Sequence, residues 1–271
     1  MEVIVLEDEQ AVADFGAQRV AELLKKKPAA VLGLATGTTP IAIYQRIIGL
    51  FRQGQISFKE VTVFNLDEYI GLPEGSVQSY RAFMSRELFD HIDIDINRTH
   101  FPECIPGGNP RQAGAAYEEQ IRRSGGIDIQ ILGIGRNGHI GFNEPCSSLR
   151  SRTRIKTLTP TTVRDNSRLF RDDEFQPHLA MTMGIATILE TRRVMLFATG
   201  EHKADAIRDA VEGPLSARCQ ASALQMHERA TIVLDQPAAS KLENLEYFKW
   251  AQQQNEPLID VFGNFYELDD F

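Results

Sequence analysis

Short apolar runs rich in β-branched residues alternate with stretches whose apolar positions recur at helical spacing along most of the chain. Val3–Leu6, Ala30–Leu34, Val61–Phe64, Ile127–Ile134, Val194–Ala198 and Thr231–Leu234 read as strands, and unbroken apolar runs of this kind mark strands covered on both faces. The first is followed by a helix with Val12, Phe15, Val20 and Leu23 close to helical spacing. Further helices are predicted at Pro40–Arg52, Ser79–Leu88, Lys203–Val211 and Ser240–Gln253, and a further strand over Arg152–Leu158. The alternation predicts an α/β fold: an open, mostly parallel, Rossmann-like sheet with helices on both faces. No repeat or low-complexity linker interrupts it, so a single domain over residues 1–271 is expected. Ligands of such sheets bind beyond the carboxyl ends of the strands. Thr36, Asp67, His139 and Thr199 each follow a predicted strand.

Composition acts mainly by exclusion. A formal charge of −8 argues against a nucleic-acid partner, although a few local cations suffice to bind a phosphate. Cys104, Cys146 and Cys219 contain no close-spaced pair, which fits reduced thiols better than a disulfide framework or a zinc site. Met1–Asp8 reads as a first strand rather than a leader, and no run approaches the ~20 apolar residues that a membrane helix needs. A soluble cytoplasmic protein with no membrane partner is expected.

Candidate chemistry concentrates in Gly133-Ile-Gly-Arg-Asn-Gly-His-Ile-Gly-Phe-Asn-Glu-Pro145, which follows a predicted strand. It brings Asn137, His139 and Glu144 together on glycine-rich backbone. A histidine that carries a proton in a set direction needs one group to fix its tautomer and another to stabilise the imidazolium. A second segment, Phe64-Asn-Leu-Asp-Glu-Tyr69, sets Asp67 at an edge dry enough to strengthen a base, with Glu68 the rival and the better structural partner. Taken singly, these residues are equally well solvated turn residues and an ordinary hydrogen-bonded histidine. Thr36-Gly-Thr-Thr-Pro40 joins a strand to a helix. Pro40 suits the first turn, Thr38 or Thr39 can cap it, and the helix end favours an anion. Lys203 sits near a helix start, where a cation is disfavoured unless an anion faces it or neighbouring Glu201 neutralises it on a solvated surface, and Arg168 could clamp a phosphate through two bonds or, taken alone, be an ordinary surface arginine. No histidine or cysteine cluster has metal-ligand spacing, no unbroken G-x-G-x-x-G opens a helix, and no lysine context calls for pyridoxal phosphate. Neither metal nor cofactor is expected.

These segments, with Ser147-Ser-Leu149, Ser151-Arg-Thr-Arg-Ile-Lys-Thr157, Asn166-Ser-Arg168, Lys203 and Ala210-Val-Glu-Gly213, closely resemble the signatures of the glucosamine-6-phosphate deaminase family, as far as about Phe248. The resemblance implies an aldose–ketose isomerase and deaminase, a hydrolase acting on glucosamine 6-phosphate to give fructose 6-phosphate and ammonia. It implies Asp67 as the enolisation base, His139 as the ring-opening residue, Glu144 as its supporting carboxylate, and Asn137 as an orienting group where other members carry aspartate. It gives the substrate phosphate to Thr36, Gly37, Thr38, Thr39, Arg168 and Lys203, with a mobile lid near 164–184 and a C-terminal extension beyond about 248. In regulated members the positions matching Ser147, Arg154, Lys156 and Thr157, with Tyr247 from an adjacent subunit, hold the phosphate of the activator N-acetylglucosamine 6-phosphate. A homo-oligomer, a hexamer, is therefore implied. Arg152, Arg154 and Lys156 alternate and are expected on one face of a strand, where by themselves they equally describe a charged edge. Two other readings exist. A lactonase of phosphorylated gluconolactone shares a related fold, but typically shows Asp-Glu-Arg where Asp67-Glu68-Tyr69 stands. A non-catalytic sugar-phosphate sensor would lack Asp67 or His139, and both are present.

Overall fold

The structure, a computed structural model, describes residues 1–104, 107–167, 170–171 and 174–262, with 256–262 as backbone. In chain order the elements are β1 (Glu2–Leu6), α1 (Glu9–Lys26), β2 (Val31–Leu34), α2 (Thr38–Arg52), β3 (Thr62–Asn65), β4 (Asp67–Tyr69), α3 (Tyr80–Glu87), β5 (Thr99–His100), α4 (Pro110–Arg123) and β6 (Ile129–Leu132). They continue with β7 (Arg154–Thr157), α5 (Pro160–Ser167), β8 (Leu179–Thr182), α6 (Ile185–Leu189), β9 (Arg193–Ala198), α7 (Ala204–Val211), β10 (Ala230–Asp235), α8 (Gln236–Ala239) and α9 (Leu245–Phe262).

Seven strands form one parallel, open sheet in the order β1-β10-β9-β6-β2-β3-β5. Its central strands, Val-Leu-Gly-Leu in β2 and Ile-Gln-Ile-Leu in β6, are buried at every position, as an element covered on both faces must be. On one side Val12, Val20 and Leu23 of α1 and Ile43 and Ile47 of α2 pack against Leu32, Leu34 and Ile131. On the other, Tyr117 and Ile121 of α4 and Ile207 of α7 pack against Val31, Leu132 and Leu196. The expected helix–sheet–helix layering is present. Among the described residues no helix is long and apolar enough to cross a membrane.

A second, antiparallel sheet of order β4-β8-β7 departs from the sequence expectation. Asp67 was expected in a loop after its strand, but it opens β4. The switch occurs at Leu66, whose amide donates to the Leu34 carbonyl of the main sheet while its own carbonyl accepts the Met183 amide. One residue thus hands the chain from one sheet to the other. The expected strand over Arg152–Leu158 is shorter, Arg154–Thr157. Arg152 lies outside it and forms ion pairs with Glu190 and Glu118, which reduces the expected row of three cations to Arg154 and Lys156. The predicted helix Ser240–Gln253 starts late, at Leu245, and continues to Phe262. The Glu212 carboxylate accepts the amides of Glu243 (2.8 Å) and Asn244 (2.7 Å), so the helix begins there with an anion at its positive end.

Candidate active site

Parallel strands deliver their following loops to one edge of the sheet. The segment after β6 carries the histidine there. Gly135 matters because the imidazole of His139 lies directly against it: a Cβ at 135 would stand 2.3–2.5 Å from three ring atoms. The Gly135 amide also donates to the His139 carbonyl at 2.9 Å, which closes the turn that folds the ring back onto the loop. His139 Nδ1 faces Glu144 Oε2 at 3.5 Å, the length of a charge contact rather than of a short hydrogen bond.

Asn137 donates through Nδ2 to the same Glu144 oxygen at 3.0 Å and accepts the His139 amide on Oδ1 at 3.2 Å. An aspartate at this position would instead set a like charge against Glu144, so asparagine leaves Glu144 as the one carboxylate facing the ring. The other oxygen, Oε1, accepts the Thr159 amide (3.2 Å) and hydroxyl (3.3 Å). Burial pushes the Glu144 carboxyl upward. The adjacent imidazole, with Thr162 and Asn137, outweighs that and holds it at about 2. Glu144 is therefore ionised at neutral pH and available to support an imidazolium. Thr159 was not among the sequence candidates, since nothing in its own segment separates it from an ordinary helix-start threonine.

Asp67 lies in a different environment. It is 6 % exposed, and burial followed by the negative charge of Glu68 pushes its carboxyl up to about 8, against a weaker pull from the Phe142 amide. Glu68 has another task. Its Oε1 accepts the amides of Tyr69 (2.8 Å) and Tyr80 (2.9 Å), and its Oε2 accepts that of Arg81 (2.9 Å), which ties β4 to the start of α3. The carboxylate committed to three backbone donors is structural. The desolvated one, with the Phe142 amide as its backbone donor, is suited to carry a proton.

The candidate anion loop corrects one expectation. Neither Thr38 nor Thr39 caps α2; the helix begins at Thr38 and its cap residue is Gly37, with φ 120° and no side-chain cap. A Cβ at Gly37 would meet nothing within 4 Å, and no side chain caps the first amides of α2, which form the positive end of a helix. Thr36 and Thr39 are partly exposed beside them, and Thr38 is exposed. Lys203 precedes α7 and its Nζ donates to the Ile134 carbonyl at 2.7 Å, which brings the ammonium over the start of the histidine segment. Arg168 lies outside the described residues.

The remaining candidates lie around the small sheet. Ser147 is buried, with no hydrogen-bond partner for its hydroxyl, and Lys156 and Thr157 are partly and fully exposed on β7. Arg154 Nη1 donates to Asn143 Oδ1 at 2.9 Å, one residue from Glu144. Tyr247 projects from α9 with 60 % of its surface exposed; α9 packs on β1, at the far edge of the main sheet from β3. A groove of about 1560 Å³ runs between α4, the entry to β7 and α6. Among the described candidate residues Arg154 alone lines it; Asp67, His139 and Glu144 do not.

Residues 7–233 match the family model described as glucosamine-6-phosphate isomerases/6-phosphogluconolactonase. The glucosamine-6-phosphate deaminase of Colwellia psychrerythraea is 57 % identical over 263 residues, 97 % of this chain and 98 % of that one. The corresponding protein of Cellvibrio japonicus is 56 % identical over 265 residues, 97 % and 100 % of the two chains. Among solved structures, a monomeric glucosamine-6-phosphate deaminase matches with a TM-score of 0.85 at 41 % identity, over 89 % of this chain and 100 % of that one. A 6-phosphogluconolactonase from Trypanosoma brucei matches at 0.67 and 20 % identity, over 89 % of this chain and 98 % of that one, a likeness of fold alone.

Proposed function

The chain belongs to the glucosamine-6-phosphate isomerase/6-phosphogluconolactonase family, and from that membership we propose that it converts glucosamine 6-phosphate and water to fructose 6-phosphate and ammonia. It is an enzyme of amino-sugar metabolism, an isomerase coupled to a deaminase; "hydrolase" describes only its last step. The observation that carries the reading is the separation of two proton stations, an ionised Glu144 beside His139 and a desolvated Asp67.

In the mechanism we propose, His139 takes the proton of the anomeric hydroxyl and gives it to the ring oxygen as the C1–O5 bond breaks. Asn137 fixes the loop, and Glu144 stabilises the imidazolium between these steps. Asp67 then removes the proton from C2 as the C1 carbonyl oxygen takes up a proton, giving an enolamine. It returns the proton to C1 as the nitrogen lone pair closes a carbon–nitrogen double bond at C2 and the nitrogen sheds a proton to solvent. Water adds to that carbon and ammonia leaves. A base near 8 suits proton abstraction at neutral to mildly alkaline pH. The substrate phosphate is bound by the Thr36–Thr39 turn at the start of α2, by Lys203 and by Arg168. No metal or cofactor is invoked.

The segment near 164–184 serves as a lid of the single domain. Asn166 Nδ2 donates to the Tyr69 hydroxyl at 2.9 Å, and the Phe170 ring meets the Tyr69 ring edge-on at 5.8 Å, which supports a link between this segment and the strand carrying Asp67. Ser147, Arg154, Lys156 and Thr157, with Tyr247 of a neighbouring subunit, bind N-acetylglucosamine 6-phosphate as activator in a cytoplasmic homohexamer. The buried, unpartnered hydroxyl of Ser147 and the exposed ring of Tyr247 support that assignment.

The decisive assay measures ammonia release from glucosamine 6-phosphate, with and without N-acetylglucosamine 6-phosphate, beside hydrolysis of 6-phosphogluconolactone. Stoichiometric ammonia and fructose 6-phosphate are expected. Lactone hydrolysis without ammonia release would replace this reading with the lactonase one.

A further inference from the structure

We propose that Asp235 is a positioning residue for the substrate phosphate, acting through the turn that carries Lys203; the inference rests on the reading of Lys203 as a phosphate ligand. Asp235 is the last residue of β10 and only 5 % exposed. The register of β10 on β9 pairs Leu234 with Ala198, so Asp235 emerges beside the loop that follows β9, at the edge where the candidate site lies. Both of its carboxylate oxygens accept the Gly200 amide, at 3.0 and 2.9 Å, and Oδ1 also accepts the Ala238 amide at 2.8 Å.

From Gly200 the connection to Lys203 is short. Gly200 has φ 84°, and a Cβ there would stand 2.9–3.0 Å from the His202 ring. Its carbonyl accepts the Lys203 amide at 3.1 Å, which closes the turn Glu201–Lys203. Lys203 then reaches back across the site edge to the Ile134 carbonyl. Capping α8 needs only the bond from Ala238. The bond from Gly200 fixes a different segment, the turn that carries Lys203, whose ammonium lies on the Ile134 carbonyl at the start of the histidine segment. A buried carboxylate needs such donors to offset its desolvation. A lysine on a flexible stem binds an anion better when its backbone anchor is held, because less freedom is lost on binding.

The test uses the full-length enzyme as Asp235→Ala, Asp235→Asn, Lys203→Gln and the double variant Asp235→Ala/Lys203→Gln, each checked by its melting temperature. Inhibition by inorganic phosphate is measured beside KM and kcat for glucosamine 6-phosphate. We expect Asp235→Ala to raise KM and the phosphate inhibition constant about tenfold with kcat little changed, the size of one charge-assisted hydrogen bond. Asp235→Asn should fall between it and the parent, and it carries the test if the alanine variant does not fold. In the Lys203→Gln background the substitution at 235 should add nothing to KM. An equal, additive rise in both backgrounds overturns the proposal while leaving the phosphate role of Lys203 intact, and so does a fall in kcat without change in KM. An unchanged KM in Lys203→Gln alone overturns that phosphate role, and the proposal with it.

Discussion

Arg154 and Asp67 stand directly opposite the same residue, Thr182, one on each side of β8. Directly paired residues of an antiparallel ladder share a face, so the row crosses the small sheet in two strand spacings, roughly 10 Å. The loop that carries His139 and Glu144 is held at consecutive positions from this row. Thr182 Oγ1 accepts the Phe142 amide at 3.0 Å, and Asn143 Oδ1 accepts from Arg154. An anion that draws Arg154 away would leave the side-chain oxygen of buried Asn143, the residue before Glu144, without its Arg154 donor, while its amide stays bound to the Ile140 and Met183 carbonyls. We therefore expect sigmoidal kinetics that become hyperbolic with N-acetylglucosamine 6-phosphate, a coupling of ~1–3 kcal/mol, and no such response in Arg154→Ala. Hyperbolic kinetics in the parent, indifferent to the acetylated sugar phosphate, would contradict the regulatory reading and leave the catalytic one standing.

Replacing Asp67 by asparagine keeps its shape but removes the proton acceptor. The expected result is a ~10²–10⁴-fold fall in kcat with substrate affinity largely retained. Steady-state kinetics together with direct binding of glucosamine 6-phosphate check this; a variant within a few-fold of the parent would take Asp67 out of the role.

The two carboxylates give opposite pH signatures. Asp67 in the unfolded chain ionises near 3.8, but in the folded protein near 8. Its contribution to stability is therefore fully present below pH 3.8 and lost as pH rises to about 8. Glu144 ionises near 4.5 unfolded and about 2 folded, so its contribution is present above 4.5 and lost as pH falls towards 2. Denaturant titrations should show Asp67→Asn gaining on the parent between pH 4 and 8. Glu144→Gln should draw level with the parent between pH 4.5 and 2. Differences that do not vary over these windows would contradict the assigned environments.

Ring opening is the only step given to His139. His139→Gln should slow turnover of the ring-closed substrate far more than that of an open-chain analogue. Gly135→Ala should do the same without touching the histidine itself, because its methyl would occupy the space of the imidazole. Equal losses on closed and open-chain compounds would assign the histidine to another step.

The main sheet was legible because strands such as Val31–Leu34 and Ile129–Leu132 are apolar at nearly every position, and only a doubly covered strand requires that. The small sheet was not. Asp67-Glu-Tyr69 is three residues long with two carboxylates, and its strand character depends on pairing with Leu179–Thr182, remote in sequence. The spacing of Asn137, His139 and Glu144 could be read because all three share one loop. The role of Gly135 could not, since the ring it accommodates returns through a turn. The threonines of the anion loop misled as caps because Gly37 supplies the cap position with backbone alone. Asp235 carries no local signal beyond a helix cap, and its link to Lys203 exists only through the parallel pairing of β9 with β10.

In the proposed mechanism one carboxylate, Asp67, shuttles a proton between adjacent sugar carbons before ammonia leaves. The most direct measurement is turnover of glucosamine 6-phosphate in deuterium oxide, with the fructose 6-phosphate and ammonium followed by NMR. We expect equimolar products, with solvent deuterium entering C1 through exchange at Asp67, and both exchange and product formation slowed ~10²–10⁴-fold in Asp67→Asn. Ammonium release that persists in Asp67→Asn, with C1 deuteration unchanged, would contradict the account.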